Sequence, residues 1–186
     1  MGITKKNIAV LIIYMNMICL VAQPSNSQEE KNKKFFNKED LRFGGNFGLN
    51  FGLYTYLEIT PTISYLFSEK FACGIGITYI YYKYNDLNYP YETSIFGGSL
   101  FERFYITENI FQHAELEVLN YEVPSINITN NQLEFERKFV PALNIGAGYQ
   151  SSNLMRGTYV LFLYNILYGL DSRTPNPYIF RIGFNF

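Results

Sequence analysis

The single histidine of this 186-residue chain, His113, precedes Glu115 and Glu117 by two and four residues. At the spacing of an extended strand the three side chains share one face. An imidazole beside carboxylates is raw material for general acid–base work, including the His/Glu/Ser arrangement of an acyl hydrolase. A metal reading is weaker, because one histidine and Cys73 on separate segments have no ligand spacing. The glycine runs GGNFG, GIG, GGS and GAG lack the strand-then-helix setting of phosphate-binding loops, and they read as room for packing and strand curvature. Asn127-Ile128-Thr129 matches a glycosylation pattern of only three residues and is taken as chance. No residue is assigned a catalytic, cofactor-binding or metal-binding role, and no cofactor is expected.

The elements that would position these residues are strands. From Arg42, the residues Phe43, Gly45, Phe47, Leu49 and Phe51 alternate with Gly44, Asn46, Gly48 and Asn50. A period of two is the mark of a half-buried strand. A second run sets Leu57, Ile59, Pro61, Ile63 and Tyr65 against Glu58, Thr60, Thr62 and Ser64, and ends in the turn FSEK. The third sets Cys73, Ile75, Ile77, Tyr79 and Tyr81 against Ala72, Gly74, Gly76 and Thr78. Further strands are expected at about 94–106, 110–120, 135–149, 158–167 and 178–186, giving eight. In the fourth, Glu102 breaks the apolar parity; the seventh, TYVLFLYNIL, is apolar on both parities and cannot be oriented from its pattern. Short connections (FSEK, ITEN and the segment after Gln150) alternate with long ones, apart from a short first connection at Gly52 to Thr55. An even-stranded up-and-down barrel has this rhythm.

The composition decides what solvent such a barrel needs. The chain holds 17 Tyr, 17 Phe and no Trp, is 48% apolar and only 17% charged. Disorder and collagen are excluded by that content. A formal net charge of -1 leaves no footprint for nucleic acid. One parity carries the large apolar residues and the other carries Gly, Ser, Thr, Asn and paired charges. Eight strands enclose only enough space for small side chains to fill, so the bulky set faces outward. An apolar band about 25 Å tall exposed to water far exceeds what soluble monomers tolerate, and lipid is the fitting solvent. Tyr54, Tyr56, Tyr79, Tyr81, Tyr82, Phe104 and Tyr105 suit interfacial girdles. A soluble secreted ligand-binding barrel is the alternative architecture.

Residues 1–27 read as a secretory signal: Lys5 and Lys6 precede the apolar stretch Ile8 to Ala22, which is too short to span a bilayer as a helix. Cleavage after Ser27 or after Ala22 leaves Gln at the new terminus; Ile18 before Cys19 disfavours lipid attachment. The mature chain then retains Cys73 alone and has no internal disulfide. Residues 28–41, rich in charge without periodicity, are expected to be a flexible periplasmic lead-in, and 42–186 the barrel. By this topology His113 lies near the periplasmic end of its strand, away from the outer leaflet where a lipid A deacylase works. Arg103, Glu115 and Glu117, with Glu58 and Arg181, would point into the lumen and satisfy one another in a network that fixes packing and register.

The signal, the strand count and the terminal PYIFRIGFNF resemble the small outer-membrane β-barrel proteins of Gram-negative bacteria, the OmpA/OmpX-like class. The segments TPTISYLFSEKFACGIGITYIYYKY, SIFGGSLFERF, HAELEVLNYE and NPYIFRIGF are similar to a poorly characterised group within it. The resemblance implies an all-β, eight-stranded antiparallel up-and-down transmembrane β-barrel in the outer membrane. It further implies contact with lipid and lipopolysaccharide, and recognition of Tyr178 to Phe186 by the barrel assembly machinery. A decarboxylase label borne by some relatives is not carried over, because the Gly-Asp-Gly start of a thiamine-diphosphate motif is absent. The expected role is structural or surface-interactive, in a monomer and not an enzyme, with outer loops at about 84–93, 121–133 and 169–177 as contact surface. A lipid-modifying enzyme and a small pore are the competing classes.

Overall fold

The computed structural model describes residues 37–50, 54–84, 91–127, 132–152, 156–174 and 176–186. The expected signal and most of the lead-in lie outside them. At the end of the lead-in, Lys38–Asp40 form one 3-10 turn capped by the Asn37 side chain, and the Asn37 N–H donates to the Tyr65 hydroxyl at 3.2 Å. Eight strands follow: β1 Leu41–Asn50, β2 Tyr54–Ser68, β3 Phe71–Tyr84, β4 Tyr91–Tyr105, β5 Ile110–Asn127, β6 Gln132–Gln150, β7 Gly157–Asn165 and β8 Tyr178–Asn185. Each pairs antiparallel with its sequence neighbour, and β8 returns to β1 to close the barrel. The expected all-β up-and-down barrel is the observed fold.

Alternation decides which way each side chain points. On β3 the burial pattern alternates from Ala72 to Ile80, with Ile75 and Ile77 57% and 68% exposed on the outer face. The seventh strand is now oriented. Tyr159, Leu161, Leu163 and Asn165 are buried, while Val160, Phe162 and Tyr164 face out. Its inward apolar residues help fill the turn end of the lumen, where Leu66, Ala72, Tyr105 and Phe111 pack with them. A second apolar layer of Ile80, Ile95, Leu119, Tyr121 and Val123 lies toward the other end.

Two expected loops turn out to be largely strand. The segment expected as the loop 121–133 is mostly hairpin, since β5 and β6 stay in register from Ile110↔Tyr149 to Asn127↔Gln132. Beyond Asn120 that hairpin has no other strand beside it, because β4 leaves β5 at Phe96↔Asn120. Arg137 on this extension donates to the Ser94 carbonyl at 3.0 Å and to Asn120 Oδ1 at 3.1 Å, tying it back to the barrel. Likewise β4 begins at Tyr91 rather than near Ser94, because the alternation of TSIF continues into YET against Lys83 and Tyr84. The wall is therefore uneven in height. Strands β4 to β6 have 15 to 19 residues, whereas β7, β8 and β1 have 8 to 10.

Three inward aromatics depend on glycine across the ladder. Phe101, Phe111 and Tyr159 pair with Gly74, Gly148 and Gly183 respectively. A Cβ on these glycines would sit 2.4, 2.4 and 2.3 Å from the facing ring. The small parity of one strand is thus the space into which the neighbour's ring folds.

Candidate functional site

Strand β5 carries a cross-section of the lumen in one line of inward residues: Phe111, His113, Glu115, Glu117, Leu119 and Tyr121, all buried. Alternation puts them on one face, and the narrow barrel brings β8, β2 and the β7–β8 connection against them. All five charged residues expected in the lumen, Glu58, Arg103, Glu115, Glu117 and Arg181, are buried there.

Their pairing differs from the expected one. Arg181 takes both carboxylates of β5: Nη1 donates to Glu115 Oε2 at 2.5 Å and Nη2 to Glu117 Oε1 at 3.3 Å. Glu115 also accepts from Asn144 Nδ2 at 3.3 Å. Arg103 does not pair with a carboxylate. Its guanidinium lies 4.3 Å from the Tyr159 ring centre, 5.1 Å from Phe111 and 5.2 Å from Phe101, and its Nε donates to His113 Nδ1 at 3.3 Å. A weakly hydrated planar cation on aromatic faces is stabilised without a counter-ion. The reason is register: Arg103 sits opposite His113, one step nearer the turns than Glu115, at the level of the aromatic layer.

His113 is stacked on Phe101 with ring centres 5.5 Å apart, and its Nε2 has no hydrogen-bond partner. The histidine is a packed member of the lumen layer between Phe101 and Arg103. Among the described residues no group of three His, Cys, Asp or Glu side chains could hold a metal ion. Glu102 is half-buried on the outer parity, between Cys73 and Ala114 of the flanking strands.

Sequence reasoning missed Arg173. It lies in the 169–177 connection expected to be an outer contact loop, yet the chain turns inward and sets Arg173 Nη1 3.9 Å from Glu58 Oε2. Burial by itself would lower the Arg173 guanidinium, but the carboxylates of Glu117 and Glu58 outweigh it and hold it above its ordinary value, fully charged. The Tyr121 hydroxyl donates to the Asp171 carbonyl at 2.5 Å and anchors the same connection. Tyr56 was missed too: its hydroxyl donates to Glu58 Oε2. Three carboxylates, Glu58, Glu115 and Glu117, now face three guanidiniums, Arg103, Arg173 and Arg181, in one balanced stack. No local pattern distinguishes Arg173 from a solvated loop cation; only the low wall at β7 and β8 lets its segment fold over the lumen.

Comparison with known proteins adds little to this geometry. No family model matches the chain, and no curated protein matches it. Among solved structures it is similar to the N-terminal β-barrel domain of Pseudomonas aeruginosa OprF, at 13% identity and a TM-score of 0.39, over 78% of this chain and 96% of that one.

Proposed function

We propose that the protein is an integral outer-membrane β-barrel with a structural or surface-interaction role. The observation that carries the reading is the inversion of its two faces. Phe43, Phe47, Ile59, Ile63, Ile77 and Phe180 are 44 to 68% exposed on the outer face, while Glu58, Arg103, Glu115, Glu117 and Arg181 are buried inside. A soluble barrel has the opposite arrangement. Closure satisfies the backbone without water, as hydrocarbon requires. The eight to ten residues of β7, β8 and β1 suit a tilted strand crossing a bilayer.

The surface role belongs to the β5–β6 hairpin that rises beyond the wall. It carries solvent-side ion pairs, Lys138 to Glu136 at 2.9 Å and Arg137 to Glu122 at 3.5 Å, which mark it as water-facing. The terminal Tyr178 to Phe186 segment, whose Phe180, Phe184 and Phe186 all face outward, would be the handle for the barrel assembly machinery. The filled lumen favours a scaffold over a pore, and the enclosed His113 favours a scaffold over a lipid-modifying enzyme.

Cell fractionation followed by gel migration with and without boiling tests the reading. Recovery in the outer membrane with a faster-migrating unboiled form is expected. A soluble periplasmic product with no heat shift would refute it and move attention to the lumen as a ligand cavity.

A further inference from the structure

The wall is incomplete where it closes. Phe43 and Phe186 exchange both backbone hydrogen bonds, at 3.2 and 2.8 Å. In an antiparallel ladder such pairs recur at every second residue, so Gly45/Phe184, Phe47/Ile182 and Leu49/Phe180 should follow. The β1–β8 ladder stops at Asn46↔Gly183, after the first of these. By contrast the β1–β2 ladder continues on the other edge of β1 to Asn50. Two bonded pairs are therefore missing on the lowest side of the barrel, and unpaired backbone in hydrocarbon is costly unless something covers it.

Behind the gap is a cavity of about 500 Å³, within the range of small-molecule sites. Its mouth is formed by the outward side chains of Phe47, Leu49, Phe180 and Ile182, and its floor by Asn46, Glu58, Arg173 and Arg181. Each of these four polar residues has one buried atom without a hydrogen-bond partner: Asn46 Nδ2, Glu58 Oε1, Arg173 Nη1 and Arg181 Nε. Buried polar atoms are almost always satisfied in folded proteins, so a cluster of four around one cavity is the signature of an absent ligand.

We propose that this lateral gap is a binding site for the phosphoethanolamine headgroup of a membrane phospholipid, an inference that rests on the membrane reading above. The three unsatisfied donors call for acceptor oxygens with negative charge, which a phosphate supplies. The unsatisfied Glu58 oxygen calls for a cation that carries N–H donors, which a primary ammonium supplies and a quaternary one does not. The acyl chains stay in the bilayer against Phe47, Leu49, Phe180 and Ile182, covering the unpaired strand edges.

The test is native mass spectrometry of the protein folded in dodecyl maltoside, with the fold checked by heat-modifiable migration. Lysophosphatidylethanolamine, lysophosphatidylcholine and lysophosphatidylglycerol are the probes. A one-to-one complex with the first, at least about tenfold tighter than with the other two, is expected from one charge-assisted hydrogen bond. Glu58→Gln should remove most of that preference. Gly48→Leu keeps every charge but grows from a Cβ only 3.2 Å from the Tyr56 ring and 3.5 Å from the Glu58 Cβ, and should block all three probes. Heat-modifiable protein that binds the three lipids equally, or whose preference survives both substitutions, would overturn the site while leaving the membrane barrel standing. Protein that never becomes heat-modifiable would overturn the membrane reading and the site with it.

Discussion

Arg181→Met separates a buried network that holds the barrel together from one that merely occupies it. Arg181 bonds Glu115 at 2.5 Å and Glu117 at 3.3 Å, and its side chain is only 7% exposed, as against 4% and 3% for its partners. Removing the guanidinium leaves two carboxylates on one strand face with Asn144 as their remaining neutral donor and no water to replace the loss. Breaking a buried pair this way costs about 3–5 kcal/mol, because an uncompensated charge remains. The methionine keeps most of the volume, so cavity formation contributes little. Urea titration of protein in lipid vesicles, read as the fraction of heat-modifiable band, gives the free energy. Tyrosine emission is a second probe, since the chain has no Trp. The triple change Arg181→Met, Glu115→Gln, Glu117→Gln should recover most of the deficit, because no charge is then stranded. A single variant that loses less than about 1 kcal/mol, or a triple variant no better than the single one, would refute the assignment of this network as a stabilising, tightly coupled core.

Gly74→Ala places a Cβ 2.4 Å from the Phe101 ring and 2.7 Å from the Ile63 carbonyl, and should cost about 1–3 kcal/mol by the same unfolding assay. Combining it with Phe101→Leu should give less than the sum of the two, and strict additivity would show that the ring does not depend on that glycine. Ile77→Arg, at a position 68% exposed on the outer face, should cost about 2–4 kcal/mol in vesicles if that face meets the bilayer midplane. A neutral effect there would place Ile77 in water.

Much of the fold was legible because alternation is a local property. Phe43 to Asn50 and Ala72 to Tyr81 state their two faces in their own residue types, and eight such runs joined by short and long connections already describe an up-and-down barrel. The exceptions have local causes as well. On β7 both parities are apolar, since one meets the outer face and the other the packed turn end, and residue type cannot tell those apart. The β5–β6 hairpin was taken for a loop because beyond Asn120 the strands leave the barrel, so the large-out, small-in rule no longer applies to them.

The sequence by itself determined which residues face the lumen, because a period of two assigns every side chain of a strand to one of two faces once one face is known. That is why Glu58, Arg103, Glu115, Glu117 and Arg181 were all placed correctly before any coordinates. Only the tertiary structure decided which of them meet. Partnership across a narrow barrel depends on register and on strands far apart in the chain, as when Arg181 of β8 reaches Glu115 of β5 and Arg103 is left to Tyr159, Phe111 and Phe101. Arg173 and the open seam between β1 and β8 belong to the same class. Each arises from the unequal heights of the eight strands around the closed wall, a quantity that no single stretch of sequence contains.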